Sequence, residues 1–572
     1  MKLKYKLKIE SPKTHYLSVT ITGEREENDS KLSFFIPSWS PGSYLMREYG
    51  KHIQNFKVLN SGGEFYQYAQ IDKGVYEIDF DASEVKGENK KFEVTYDVFC
   101  HELTVRTSHI DESHAFLHGP TIYMGVLGKE LVDPEVEVEF PPLWSKLTTG
   151  LKDISTKREV FLYTAPNYDD LIDCPIEIGC QETDGFRVEG IDHELCWFGT
   201  PMKHDHNLKA DIKTIVEHIS KTMGDIPYEK YTFITHFAPN LFGGLEHKNS
   251  TALQYCSRAM VDRKSYTDWL ELVAHEYFHT WNVKRIRPKE LGPFDYLTEA
   301  NTRMHWLTEG LTSFMDQLFV FRCGLTTLEE YLEKTTTTLN RYFSVPGRKF
   351  HSLEESSLNS WIKLYRPDEN SNNSSISYYL KGGLVFFALN VLIVKEGKNI
   401  NDLLDLLWSR YKSNPEEGME DHEVYSMIES LTNKKVSDRF INMVTSTEEI
   451  DFEALLKEMS VEVEYNEPTT TSLGIVTSSS DERIIIKSVT LDSPAHKYGL
   501  NAGDEIIAID GMRVLNSEFQ KYDKFLTLNK TYNFCVSRLG YLTDVKVLMD
   551  KGPRTIKSLK SVDENSTKKF LL

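Results

Sequence analysis

Two histidines and a glutamate lie close together in the segment VAHEYFHTW, residues 273–281. On a helix, the four-residue spacing places His275 and His279 on one face, where both can bind the same metal ion. Glu276, beside His275, can then contact a metal-bound water and take its proton during attack on a peptide bond. The alternative is an amphipathic helix with two buried histidines. The H-E-x-x-H pattern favours the metal site.

A catalytic zinc site normally has a third protein ligand. The candidate is Glu309 in HWLTEGLTSF, thirty residues after His279 on the next predicted helix and flanked by apolar residues. Two alternatives stay open: Glu309 pairs with Arg303 or Arg322, or the exposed-looking Glu299 is the ligand. Two histidines and one carboxylate suit zinc, so we expect one Zn²⁺ per chain.

Attack on a carbonyl creates an oxyanion that needs a hydrogen-bond donor besides the metal. Tyr379 in YYLKGG begins the third predicted helix of this region and offers a phenol. Tyr378 is the rival, and a tyrosine at a helix start can also serve only in packing.

The secondary-structure elements that must position these residues change in type along the chain, from strands to helices and back to strands. Up to about residue 180, short segments such as KLSFFIP, FEVTYDVF and EVEVEFPP read as strands, which predicts a β-sandwich or saddle. From about residue 185 to residue 455 helical periodicity dominates. YNEPTTTSLG looks like a linker, strands follow it, and the polar end SVDENSTKKFLL is expected to be frayed. The fold class is therefore multidomain α+β.

The composition of the chain limits its possible cellular location and its possible partners. The chain has 572 residues and a formal net charge of -20, which argues against a nucleic-acid partner. Its seven cysteines contain no C-x-x-C pair, as in a reducing compartment. The longest apolar stretch, Leu384 to Val394, is far short of the ~20 residues that span a bilayer. We expect a cytoplasmic protein with no membrane partner.

Four motifs occur in the order GGLEH, HEYFHTW, WLTEG and YLKG, as in gluzincin metallopeptidases such as aminopeptidase N. With IPSWSPGSYLMREYGKHI, GGLEHKNST and the later DSPAHKYGLNAGDEIIAIDG, the chain resembles the glycyl aminopeptidase family over nearly its whole length. The resemblance implies an N-terminal β domain at 1–180, a thermolysin-like, mostly helical zinc peptidase domain at 181–465, a PDZ domain at 466–555 and a polar tail at 556–572.

The resemblance also assigns roles to residues. It implies that His275, His279 and Glu309 are the metal ligands. It also implies that Glu276 is the general base and acid, and that Tyr379 is the oxyanion donor. It implies that Glu246, after Gly243 and Gly244, binds the free amine of the substrate. GGLEH departs from the G-x-M-E-N pattern of aminopeptidase N, with leucine for methionine and histidine for asparagine. The alternative for GGLEH is a glycine turn with an exposed glutamate.

The SLGI segment, at Ser472, Leu473, Gly474 and Ile475, precedes a predicted strand. Its backbone N–H groups can bind the terminal carboxylate of a peptide that adds to the sheet edge. Alternatively, the PDZ domain packs within the chain and has only a structural role.

The leading functional hypothesis is a zinc aminopeptidase that releases glycine or alanine from peptides with a free N-terminus. The first rival is a zinc endopeptidase guided by the PDZ domain. The second is an inactive peptide-binding scaffold, which the intact base Glu276 argues against.

Overall fold

The fold is described from a computed structural model, which covers residues 1–60, 62–81, 90–157, 160–201, 207–467, 471–478, 483–515, 517, 519 and 525–572. The chain forms two compact units, one of Met1–Asn301 with Trp408–Met419 and one of Thr302–Leu407 with Glu420–Leu572. The boundary predicted near residue 180 does not separate these units. The predicted peptidase domain is instead divided between them, with His275 and His279 in the first and Glu309 in the second.

The first unit begins with strands that alternate buried and exposed residues. In β1 the apolar Leu3, Tyr5 and Leu7 are buried and the lysines between them face outward, which is the period-two pattern of a half-buried strand. These strands form a seven-stranded sheet and two four-stranded sheets, in the orders β13-β14-β11-β1-β2-β7-β4, β10-β3-β6-β5 and β12-β15-β9-β8. The strands are β1 Leu3–Lys8, β2 Tyr16–Glu24, β3 Lys31–Phe35, β4 Ile53–Asn60, β5 Gln67–Asp72, β6 Val75–Asp79, β7 Lys91–Phe99, β8 His109–Ile110, β9 His114–Leu117, β10 Gly125–Val126, β11 Glu135–Glu139, β12 Lys146–Thr149, β13 Lys152–Asp153, β14 Phe161–Thr164 and β15 Ile176–Gly179.

One apolar core lies beneath these sheets and includes Val19, Phe34, Val94 and Ile122. Two short helices connect the strands, α1 at Gly119–Ile122 and α2 at Tyr168–Ile172. The predicted N-terminal β domain is present.

The same unit continues into a five-stranded sheet of order β16-β17-β18-β20-β19. β18 is buried almost throughout because it runs parallel to β17 and β20 in the centre of the sheet. β19 pairs antiparallel with β20 and lies at the sheet edge. The elements are β16 Glu182–Val188, β17 Ile191–Phe198, α3 Leu208–Met223, β18 Lys230–Ala238, β19 Phe242–Glu246, β20 Ser250–Cys256 and α4 Arg263–Phe278.

The second unit is mainly helical and is built around α9, which is buried on nearly all sides. Among the described residues, one helical stretch, Ser371–Lys395, is long and apolar enough to cross a membrane, but 83% of its most apolar window is buried in the protein, as in a core helix. The helices are α5 Leu311–Arg322, α6 Leu328–Ser344, α7 Leu353–Leu358, α8 Ser371–Ser374, α9 Tyr378–Lys395, α10 Ile400–Ser413, α11 Asp421–Leu431, α12 Lys434–Thr445 and α13 Phe452–Glu458, with π-helical turns at Trp306–Gly310 and Ser360–Leu364. The residues of α10 from Trp408 onwards are part of the first unit.

The PDZ-like part of the second unit has its own apolar core, which includes Ile486, Ile506 and Phe534. Its strands form a sheet of order β22-β23-β24-β26-β27, with β25 paired to β24. The elements are β22 Ile475–Ser478, β23 Ile485–Val489, α14 Pro494–Tyr498, β24 Glu505–Ile509, β25 Met512–Arg513, β26 Thr531–Arg538 and β27 Tyr541–Leu548.

The separate tail predicted at 556–572, with a frayed end at 561–572, is wrong. Strand β28, Ile556–Ser561, pairs with β21, Val461–Tyr465, and helix α15, Glu564–Lys569, follows it. Leu571 is buried, and its carbonyl accepts a hydrogen bond from Arg322 at 2.7 Å. The polar composition misled the prediction because four apolar residues of the segment, Ile556, Leu559, Phe570 and Leu571, are buried, although Val562 and Leu572 are exposed.

Candidate metal centre and substrate site

The two histidines lie at the C-terminal end of helix α4. The helix begins at Asp262, whose side chain accepts a hydrogen bond from the N–H of Ser265 at 3.0 Å. Most of the helix is buried, so its last turn is held firmly against the rest of the first unit. His275 and Glu276 occupy this last turn, and His279 follows directly.

The imidazoles of His275 and His279 lie side by side, with ring centroids 4.6 Å apart. Nδ1 of His279 donates to the carbonyl oxygen of Asn282 at 2.6 Å. Because a carbonyl only accepts, the proton is on Nδ1 and Nε2 carries the lone pair that a metal requires. Asn282 could not be predicted from the sequence, since a backbone carbonyl leaves no motif. These donors therefore fit a transition-metal ligand set.

The predicted base and the predicted amine-binding residue lie next to this position. Glu276 is 5% exposed and Glu246 is 4% exposed. One side-chain ligand atom from each of Glu246, Glu276 and His279 lies within 4.8 Å of the other two. Gly244 permits this arrangement, because a Cβ on it would lie 2.0 Å from Oε1 of Glu276. The alternative of an exposed glutamate in a glycine turn is excluded by the burial of Glu246.

Glu246 is supported from two sides. Gly42, in the PSWSPGSY loop of the β domain, approaches so closely that a Cβ there would lie 2.4 Å from Oε1 of Glu246. Its φ of 82° also favours glycine. On the other side, Nδ1 of His247 lies 3.1 Å from Asp173, which also accepts from Lys284 at 2.7 Å. Burial raises the pKa of Asp173, but Lys284 and His247 outweigh it and hold this pKa well below its usual range.

A cavity of about 470 Å³ opens beside Glu246. Trp39, Tyr44, Phe294 and Tyr296 supply aromatic walls. Its volume is within the range of small-molecule binding sites. The space next to Glu246 can therefore hold part of a substrate.

In the second unit, Glu309 lies in the π-helical turn Trp306–Gly310 and is 2% exposed. The turn packs tightly on α9, since a Cβ on Gly310 would lie 2.8 Å from Cα of Gly382. The arginines considered as partners contact other groups: Arg303 lies 3.5 Å from Glu354, and Arg322 donates to Leu571.

Glu299, the rival ligand, is exposed. Burial therefore separates the two glutamates and favours Glu309.

Burial also separates the two tyrosines at the start of α9. Tyr378 is fully buried and stacks on His305 with ring centroids 4.9 Å apart, while the side chain of Tyr379 remains partly exposed. Although the side chain is partly exposed, loss of solvent around its phenol and the nearby carboxylate of Glu309 raise the pKa of Tyr379 well above its usual value. The phenol of Tyr379 therefore stays protonated and remains a hydrogen-bond donor.

Lys381 in the same motif is buried, and its Nζ donates to the carbonyl oxygen of Ser446 at 3.0 Å. Burial lowers its pKa to about 8. This lysine therefore joins α9 to the end of α12.

The predicted carboxylate loop of the PDZ domain leads into β22, an edge strand of its sheet. Leu473 is buried, and its carbonyl accepts from Ala495 at 3.0 Å. Gly474 has φ 76°, and a Cβ there would lie 2.1 Å from Cβ of Ser493. Ser472 precedes this pair and Ile475 begins the strand. An edge strand after a glycine loop is the arrangement that peptide addition requires.

Comparison with known families gives three matches. The M61 glycyl aminopeptidase family matches residues 268–385, the peptidase M61 N-terminal domain matches residues 4–180, and the PDZ domain matches residues 471–549. Comparison with curated protein sequences gives no match.

Solved structures show the same fold. An aminopeptidase N family protein from Idiomarina loihiensis is 26% identical, with full coverage of both chains and a TM-score of 0.92. An M1 zinc metallopeptidase from Deinococcus radiodurans is 13% identical over 79% of this chain and 94% of its own, with a TM-score of 0.50. A variant of that enzyme, bound to a Tyr-Ser-Ala substrate, has the same identity, coverage and TM-score.

Proposed function

Because the chain belongs to the M61 glycyl aminopeptidase family, a family of zinc metallopeptidases, we propose that it releases small N-terminal residues, glycine or alanine, from peptides. This membership and the positions of Glu246, Glu276 and the two histidines together support the proposed activity.

One zinc ion per chain is proposed, held by His275, His279 and Glu309. The tautomer fixed by Asn282 supports the assignment of His279, and the burial of Glu309 supports the third position. When bound, zinc supplies a Lewis acid that lowers the pKa of a coordinated water and polarises the scissile carbonyl.

The proton transfers are assigned to Glu276. Its carboxylate takes the proton of the attacking water and later delivers it to the leaving amine. Burial at 5% exposure suits this role, because a dry site strengthens the interaction of a base with its proton. The phenol of Tyr379 is proposed to donate a hydrogen bond to the carbonyl oxygen as negative charge develops on it.

Glu246 is proposed to bind the α-ammonium group of the substrate. The single observation that carries the exopeptidase assignment is the cluster of Glu246, Glu276 and His279, whose side-chain atoms lie within 4.8 Å of one another. An extended residue advances the chain by about 3.4 Å. Only one residue therefore fits between the anchored amine and the base.

The preference for a small first residue is supported by the approach of Gly42 to the carboxylate of Glu246. The cavity beside Glu246 favours a second candidate, an aminopeptidase that also accepts large apolar side chains. The Trp39 and Phe294 rings that line it would pack against such a side chain.

The test compares Gly-, Ala-, Leu- and Phe-p-nitroanilide with their N-acetyl forms, on the wild type and on Glu246→Ala. We expect Gly and Ala to give the highest kcat/KM, acetylated forms to be inert, and Glu246→Ala to lose most of the dependence on a free amine. Fast turnover of the Leu and Phe substrates would select the broader aminopeptidase. Equal turnover of free and acetylated substrates would select the endopeptidase guided by the PDZ domain.

The proposed location is the cytoplasm. In support, none of the seven cysteines forms a disulfide. The proposed partners are peptides with a free N-terminus at the catalytic site and a peptide C-terminus at the loop Ser472–Ile475.

A further inference from the structure

The outer edge of β19 is defined by the hydrogen-bond pattern of its hairpin. The N–H of His247 donates to the carbonyl of Ser250 at 3.0 Å, so the backbone groups of His247 face β20. Backbone groups alternate in direction along an antiparallel strand. Those of Phe242, Gly244 and Glu246 therefore point away from β20, towards the outer edge of the sheet.

An arginine from the β domain lies at this edge. Nη2 of Arg106 donates to the carbonyl oxygen of Gly244 at 3.1 Å. Nη1 of the same guanidinium lies 4.0 Å from the position that a Cβ on Gly243 would occupy. The charge of Arg106 therefore lies beside the two glycines, where an added strand would run.

The loop between β7 and β8 holds Arg106 in a fixed place. The carbonyl of Arg106 accepts from the phenol of Tyr49 at 2.8 Å, and its N–H donates to Oγ1 of Thr104 at 3.1 Å. The preceding Val105 is buried in a small apolar cluster with Leu245 of β19. The backbone of Arg106 is therefore tied to the strand whose edge its side chain faces.

The direction of a bound peptide follows from the proposed function, on which this inference rests. The amine lies at Glu246, and the base Glu276 lies against Gly244. The substrate must therefore run from Glu246 towards Phe242, antiparallel to β19. At about 3.4 Å per residue, the carboxylate of a dipeptide or tripeptide lies about 7–10 Å beyond its amine. Arg106 is bonded to Gly244, two residues along β19 from Glu246, which corresponds to this part of the substrate.

We propose that Arg106 binds the C-terminal carboxylate of dipeptides and tripeptides, so that short free peptides are the preferred substrates. A guanidinium has five N–H donors in a planar fork that matches a carboxylate. A longer chain places an uncharged peptide group beside Arg106 and loses this ion pair.

The test measures kcat/KM for Ala-Ala and Ala-Ala-Ala and for the same peptides with a C-terminal amide. The ratio of kcat/KM for the acid to kcat/KM for the amide is independent of any loss of activity that affects both peptides equally, such as a loss caused by a shift of β19. We expect a ratio of about 10 to 100 in the wild type, the range that a charge-assisted hydrogen bond supplies. In Arg106→Gln the ratio should fall towards 1 through a higher KM for the acids, and Arg106→Lys should keep part of it.

The control is Arg187→Gln, which removes an exposed arginine that pairs with Asp192 on the same unit and should keep the wild-type ratio. Alanine pentapeptides should give similar kcat/KM values with a free C-terminal carboxylate and with a C-terminal amide. A wild-type ratio near 1 for both short peptides, or an unchanged ratio in Arg106→Gln, would overturn the role of Arg106. Failure of the proposed function is a separate outcome, seen as turnover of N-acetylated peptides or of none of the substrates.

Discussion

Gly244→Ala is expected to inactivate the enzyme by moving Glu276, the proposed base. A Cβ on residue 244 would lie 2.0, 2.4 and 2.7 Å from Oε1, Cδ and Cγ of Glu276, whereas ordinary contact begins at 3.4 Å. Relief of the closest contact from 2.0 to 3.4 Å moves the carboxylate by about 1.4 Å. A displacement of about 1 Å costs about 10²-fold in rate. We therefore expect kcat to fall at least about 10²-fold on Ala-p-nitroanilide.

The loss should be catalytic and not a loss of folding or metal. Glu276 is a flexible side chain that can rotate away, so overpacking should cost no more than about 1–3 kcal/mol of unfolding free energy. Metal content per chain should stay at the wild-type value. The control Gly383→Ala adds a Cβ at 3.5 Å from its nearest neighbour and should keep wild-type activity.

Glu276→Gln should give the lower limit of activity, because it removes the carboxylate that is proposed to transfer the proton and leaves the histidines in place. The assays are single-turnover kinetics, metal analysis and thermal unfolding on the three variants. Wild-type kcat in Gly244→Ala would refute the placement of Glu276 beside β19. Loss of metal in Glu276→Gln would show that this glutamate is a ligand and not the base.

Three further outcomes are expected. Tyr379→Phe should lower kcat about 10²-fold with little change in KM, whereas Tyr378→Phe should mainly lower the melting temperature; the reverse result would exchange their roles. Lys381→Met should raise the unfolding free energy at pH 7 by up to about 3 kcal/mol. The reason is that burial lowers the pKa of Lys381 from the ordinary lysine value of 10.5 to about 8, so its charge is less stable in the folded protein than in the unfolded chain. The wild type should gain stability from about pH 8 upwards, since the unfolded state then binds more protons, and urea unfolding should show a flatter profile in the variant. Replacing residues 468–553 by a short linker should leave a folded protein that hydrolyses Ala-p-nitroanilide. The two flanking ends already lie together, because the N–H of Asn466 donates to the carbonyl of Thr555 at 2.9 Å. Truncation at residue 472, in contrast, removes β28 and should unfold the second unit. A folded excision variant without activity would place the PDZ domain in the active site.

Local patterns in the sequence predict several residues of the candidate site. The spacing of His275 and His279 predicts one helix face, because 3.6 residues per turn is a property of any α-helix. Alternating lysines and apolar residues predicted β1 in the same way. The family resemblance favours Tyr379 as the oxyanion donor, a choice that the chemistry alone left open against Tyr378.

Contacts between distant parts of the chain were decided only by the tertiary structure. Arg106 meets Gly244 across 138 residues, and nothing in the sequence around it marks a binding residue. Gly42 supports Glu246 from another part of the chain, and β28 pairs with β21 across the whole PDZ domain. A short-range pattern fixes which face of a helix or strand a side chain occupies. The partner on that face is set by packing of the whole chain, which no local spacing records.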